Sequence, residues 1–246
     1  MQSSLRVGIV LALAVVLVAA LALFGCTDSE PADSDAGDNG SSTPAPVAGT
    51  QPVLMLGRSV MEAWFAYMDP EWDWESPIVR DGYSLMYGSM ETPPDIARSA
   101  CAFIRNADPD TVVFFKFCFD DFWGGSGSEG REELDNLIGW AEEVAECAAD
   151  RGLILIVGNA LPKVASYTEP DLIAQHRAYN EWLEGFAAGR PGEVYVFDLY
   201  GPLTGADGTL KREFSLERDD SHLNSTAYDL LTPRLLELLG RVSESL

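Results

Sequence analysis

Short apolar runs separated by longer amphipathic stretches recur along most of this chain, and that alternation narrows the possible folds sharply. The runs lie at residues 52–57, 111–119, 153–157 and 193–198, with a further strand region at 76–80 and 83–87 around Gly82. The run at 111–119 is β-branched and aromatic almost throughout, a composition that suits a buried strand. Between the runs, apolar residues recur at helical spacing. Ile96, Ala100, Phe103 and Ile104 mark one helix over 94–106, and Leu134, Leu137, Ile138, Ala141, Val144 and Ala148 mark another over 131–150. Further helices are predicted from 58, over 170–188 and over 225–242. Strands alternating with helices imply crossover connections. The expected fold class is therefore α/β, a three-layer αβα sandwich around a five-stranded parallel sheet of the flavodoxin-like kind.

Residues 7–25 form one uncharged apolar stretch behind Arg6, with the charged start and apolar middle of an export signal. It ends in Leu23-Phe24-Gly25-Cys26, which resembles a bacterial lipobox. That resemblance implies a lipoprotein signal peptide over 1–25 and a lipidated Cys26 at the mature N-terminus. The membrane would then be a partner through the acyl chains, and the chain would be extracytoplasmic. A plain membrane anchor is the other reading of the apolar stretch. Residues 27–50 are rich in Asp, Ser, Gly and Pro and poor in large apolar side chains. They read, with Cys26, as a disordered acidic tether over 26–50 that precedes a domain over 51–246.

The 246 residues carry a net charge of −23, which argues against nucleic acid as a partner, since phosphates need Lys and Arg. Beyond Cys26 the cysteines are Cys101, Cys118 and Cys147. An extracytoplasmic setting permits one disulfide among them, without indicating which, and three reduced buried thiols are the alternative. No spacing of Cys and His suits zinc, and Asp219, Asp220 and His222 make a weak cation site, so no metal or cofactor is expected.

Ligands on parallel sheets bind beyond the carboxyl ends of the strands. Ser59 follows the first run, Gly88 the second, Asp120 the third and Asn159 the fourth; Asp219 and His222 follow the fifth after a loop. An Asp-x-x-His pair lets a carboxylate orient an imidazole that then takes a proton from a nucleophile. Ser59 is the candidate nucleophile. The other histidine, His176, shares a helical stripe with Leu172, Tyr179 and Leu183 and reads as packing. The tryptophans Trp64, Trp72 and Trp74, and the segment from Asp120 to Trp123, read either as packing or as walls of a sugar cleft.

With these residues in place, the domain resembles the SGNH (GDSL-type) hydrolase superfamily. Gly57-Arg58-Ser59 stands where that family has Gly-Asp-Ser, Cys118-Phe119-Asp120-Asp121 where it has Gly-x-Asn-Asp, and Asp219 to His222 matches its Asp-x-x-His in full. The resemblance implies an acyl-enzyme on Ser59, with His222 as base and Asp219 as its orienting acid. It implies an oxyanion hole from the N–H groups of Ser59 and Gly88, with Gly82 as a second candidate glycine. Asp120 replaces the family's Asn in that hole. Asn159 is a candidate substitute donor, and Arg58 is expected to pair with Asp120. The implied activity is that of a serine esterase acting on acyl (acetyl among them) esters of a carbohydrate or cell-envelope glycan. Alternatives are lysophospholipase, thioesterase or O-acyltransferase chemistry, or an inactive domain that binds glycan.

Overall fold

The structure, a computed structural model, describes residues 44–244. The export signal over 1–25, Cys26 and the tether up to residue 43 lie outside the described residues. Residues 44–50, assigned by composition to the tether, lie against the domain: the Val47 N–H donates to Ser84 Oγ at 2.9 Å.

Six strands form one sheet: β1 (Gln51–Gly57), β2 (Ile78–Arg80), β3 (Tyr83–Ser89), β4 (Val112–Lys116), β5 (Leu155–Gly158) and β6 (Val194–Phe197). Their order is β2-β3-β1-β4-β5-β6. The five from β3 to β6 are parallel, in the expected flavodoxin-like arrangement. The sixth corrects the expected count. β2 pairs antiparallel with β3, Arg80 opposite Tyr83, across the two-residue turn Asp81-Gly82. Both turn residues have positive φ, 49° and 85°, which a tight hairpin requires and which glycine adopts without strain.

Alternation along β1 divides the core between two layers. Val53 and Met55 face one layer with Val60, Met61, Trp64 and Phe65 of α1 (Ser59–Met68). Leu54 and Leu56 face the other, against α2 (Ile96–Asn106), α3 (Gly127–Asp150) and α4 (Pro170–Ala188). After the short α5 (Tyr200–Leu203), α6 (Ser225–Ser243) joins α1 on the first face through Leu231, Leu235 and Leu239. Trp64 centres that layer. Its ring meets Phe114, Phe197 and Tyr228 at 5.8–6.2 Å, and its Nε1 donates to Thr232 Oγ1 at 2.8 Å. Trp64 is therefore core, where truncation typically removes about 3–5 kcal/mol. Trp72 is half-buried, and Trp74 is exposed beside it.

A disulfide joins Cys101 of α2 to Cys147 of α3, which resolves the open pairing. Cys118 is buried and free. Among the described residues no helix is long and apolar enough to cross a membrane.

Candidate active site

β1 ends at Gly57 and the chain turns directly into α1. Space forces the glycine, because a Cβ there would stand 2.6 Å from Met61 Cβ. Arg58 then occupies the N-cap position, and Ser59 opens the helix, exposed. The Met61 and Glu62 N–H groups donate to the Arg58 carbonyl; the N–H groups ahead of them have no intrahelical acceptor, and the helix dipole adds partial positive charge at that end. The Ser59 hydroxyl thus sits where developing negative charge is favoured.

The partner of Ser59 comes from the other end of the sequence. His222 Nε2 lies 2.9 Å from Ser59 Oγ. His222 Nδ1 lies 2.6 Å from Asp220 Oδ1, and that oxygen also accepts the His222 backbone N–H at 2.9 Å. With Nδ1–H donating to the carboxylate, Nε2 is the acceptor left for the serine proton. The backbone N–H of His222 is the largest cause holding the Asp220 carboxyl below the usual carboxylate range. The ring of Phe119 meets the imidazole edge-on at 5.0 Å and fixes its plane.

This corrects the expected acid. Asp219 has the Asp-x-x-His spacing, yet it is exposed, and Asp220 is the residue against His222. A carboxylate readily bonds the N–H two residues ahead of it in a tight turn. That turn brings Asp220 to both the backbone and the ring of His222. The loop is pinned from several sides. Ser221 Oγ accepts from the Val164 N–H at 3.1 Å, and the Leu216 N–H donates to the His222 carbonyl at 2.7 Å. Asn224 caps α6 through the Ala227 N–H and donates to the carbonyls of Glu213 and Ser215.

The expected oxyanion donors fare differently. Asp120 is turned toward Lys163. Its side chain is 70% exposed, and Oδ1 lies 3.4 Å from Lys163 Nζ. Arg58 pairs with Asp121, not Asp120. Asp121 is buried, and its second oxygen accepts the Cys118 N–H at 2.7 Å. Burial raises its pKa, against the lowering by Arg58. Asn159 is held toward the chain beyond β6: Oδ1 accepts from Leu199 N–H and Tyr200 N–H, and Nδ2 donates to Asp198. Gly82 is at the hairpin turn, where its carbonyl accepts from Gln51 at the start of β1, so it lies at the opposite edge. Gly88 stands in β3 level with Leu56, and a Cβ there would come 2.5 Å from Leu56 Cδ2. Close strand packing requires a glycine at that place in addition to any role of its N–H. The Ser59 N–H, at the first position of α1, remains as the expected donor that the chain itself carries beside Oγ.

A cleft of about 450 Å³ opens beside His222, with Phe119, Asp120, Lys163, Tyr167 and Glu169 among its walls. A larger concavity of about 1130 Å³ lies beyond the loop and shares Asp219, but neither Ser59 nor His222 lines it. The reacting atoms, not the volume, locate the site. His176 is buried against Phe122 and Tyr200, as packing requires. Among the described residues no group of three or more His, Cys, Asp or Glu is placed to hold a metal ion.

No protein-family model and no curated protein matches the chain. Solved structures do. A member of the lipolytic protein G-D-S-L family from Veillonella parvula aligns with a TM-score of 0.56 at 18% identity, over 77% of this chain and 98% of its own. A GDSL-like lipase from Bacteroides thetaiotaomicron aligns with a TM-score of 0.55 at 16% identity, over 82% and 92%.

Proposed function

We propose that this chain, whose fold is that of the GDSL-type lipolytic proteins, is a serine esterase that hydrolyses acyl esters through Ser59. The observation that carries the reading is the unbroken line of contacts from Ser59 Oγ through His222 to Asp220, at 2.9 and 2.6 Å. Nothing in a merely structural role requires an exposed serine, an imidazole and a carboxylate in that order.

The steps follow from the atoms. Ser59 Oγ attacks the ester carbonyl carbon as its proton passes to His222 Nε2. The negative charge on the carbonyl oxygen is met by the N–H groups opening α1. Asp220 stabilises the imidazolium through Nδ1. Collapse breaks the carbon–oxygen bond to the alcohol, which leaves with the proton from Nε2. Water then attacks the acyl-serine with His222 again as base, releasing the acid and restoring Ser59.

Substrate and location are finer parts of the same reading. The ester is an acyl ester, acetyl among them, of a carbohydrate or cell-envelope glycan. The protein works outside the cytoplasmic membrane, held by a lipid on Cys26. The lipobox-like segment supports the location, and the side chains of Asp120, Lys163 and Glu169 in the cleft support the alcohol.

Turnover of p-nitrophenyl acetate tests the reading. The wild type should release p-nitrophenol well above the uncatalysed rate, and Ser59→Ala should lower kcat by about 10³-fold or more. Equal rates for the two proteins would overturn it.

A further inference from the structure

Asp120 stands in a place where a carboxylate facing the oxyanion would oppose catalysis, and the structure turns it outward instead. There it enters the wall of the cleft beside His222, opposite a lysine and near an exposed aromatic ring. The pieces are firmly built. The Lys163 carbonyl accepts from the Leu210 N–H at 2.8 Å and from Thr168 Oγ1 at 3.0 Å, which fixes the backbone bearing its ammonium. Tyr167 closes a 3₁₀ turn, Ala165–Tyr167, with its N–H on the Val164 carbonyl at 2.9 Å; its side chain is left 59% exposed. At 3.4 Å the Asp120–Lys163 pair is loose, so both groups keep open hydrogen-bonding positions.

We propose that Asp120, Lys163 and Tyr167 form the subsite for the alcohol half of the ester, and that this half is an uncharged pyranose. The proposal rests on the esterase reading and deepens it. A pyranose has an apolar C–H face and a rim of hydroxyls, each donor and acceptor at once. Tyr167 offers the flat face, Asp120 accepts from a hydroxyl, and Lys163 donates to its neighbour. A long acyl or alkyl chain would need apolar walls. Here the aromatic walls are Phe119, already occupied with His222, and Tyr167. A phosphate would meet the carboxylates of Asp120 and Glu169 with one already paired lysine to offset them. A quaternary ammonium is the cation those carboxylates would attract, and it offers no hydroxyl to Lys163 or Asp120; acetylcholine is in the test for that reason.

The test compares kcat/KM on partially acetylated xylo-oligosaccharides, p-nitrophenyl acetate, acetylcholine and lysophosphatidylcholine. The proteins are wild type, Tyr167→Ala, Asp120→Ala and, as an exposed position outside the cleft walls, Trp123→Ala. The wild type should favour the xylo-oligosaccharide over acetylcholine and lysophosphatidylcholine. Tyr167→Ala and Asp120→Ala should each lower the ratio of xylo-oligosaccharide to p-nitrophenyl acetate by about tenfold, mainly through KM. Trp123→Ala should leave that ratio in place. Preference for acetylcholine or lysophosphatidylcholine overturns the pyranose assignment. So does an unmoved ratio in both cleft variants, and either result leaves the esterase reading standing. A wild type inert toward all four esters overturns both.

Discussion

Asp220 accepts from two atoms of one residue, the backbone N–H and Nδ1 of His222, and this double contact is what orients the imidazole. The neighbouring Asp219 makes no such contact. Asp220→Asn should therefore lower kcat by about 10²–10⁴-fold, because an amide neither stabilises the imidazolium nor enforces the tautomer. Asp219→Asn should cost less than about fivefold, as an exposed charge near the site. Steady-state rates on p-nitrophenyl acetate separate the two, and the reverse ranking would restore the Asp-x-x-His assignment. The choice between adjacent acids was not legible in the chain. Spacing places both within reach of the imidazole, and only the turn that folds Asp220 back onto the His222 N–H decides between them. Ser59 and His222 were legible, since strand order puts them on one edge of the sheet.

At the scale of elements, two ties hold the start of α1 to its surroundings. Tyr228 of α6 donates through its hydroxyl to the Val60 carbonyl at 2.9 Å, in the first turn of α1. Arg58 reaches from the N-cap position to the buried Asp121, which in turn grips the Cys118 N–H beyond β4. The guanidinium thus links the loops after β1 and β4. Removing one member strands a buried charge, so Arg58→Ala should cost about 3–5 kcal/mol in urea denaturation. Arg58→Ala combined with Asp121→Ala should cost less than Arg58→Ala alone; a double variant that is less stable still would show that the pair is not the tie. Sequence suggested an ion pair for Arg58 but assigned it to Asp120. The 3₁₀ turn Phe119–Asp121 points adjacent carboxylates in different directions, inward and outward, and nothing in residue order shows which goes where. The hairpin of β2 and β3, by contrast, is visible in the Asp81-Gly82 dipeptide. The five parallel strands are visible in their apolar runs because both faces of each are covered.

Across the whole molecule, two buried bases make stability depend on pH. His176 is enclosed by rings, and burial pushes its pKa down to about 3 from 6.5, with Lys163 adding to the shift. The unfolded chain then binds one more proton than the native one between those values. This contribution is fully present above pH 6.5 and is lost as pH falls toward 3, at up to about 1.4 kcal/mol per unit. Lys116 lies fully buried in β4, and burial lowers it to about 8. Its effect has the same sign in a higher window: stability rises with pH between about 8 and 10.5. His176→Phe should flatten the acid limb. The difference in unfolding free energy between wild type and variant, measured in urea at pH 7 and pH 4.5, should shift in favour of the variant at the lower pH. A constant difference would mean that His176 is not held neutral. The disulfide from α2 to α3 closes a loop with a sequence separation of 46. On a chain-entropy account such a loop contributes about 4 kcal/mol.

All these features hold one arrangement in place: an exposed serine at the start of α1, facing an imidazole carried from beyond β6. Its most direct measurement is labelling with a fluorophosphonate, which reacts only with an activated serine, followed by peptide mass spectrometry. The account predicts a single adduct, on Ser59, that forms rapidly in the wild type and is lost in His222→Ala. An adduct on another serine, or none on Ser59 in the folded wild type, would contradict it.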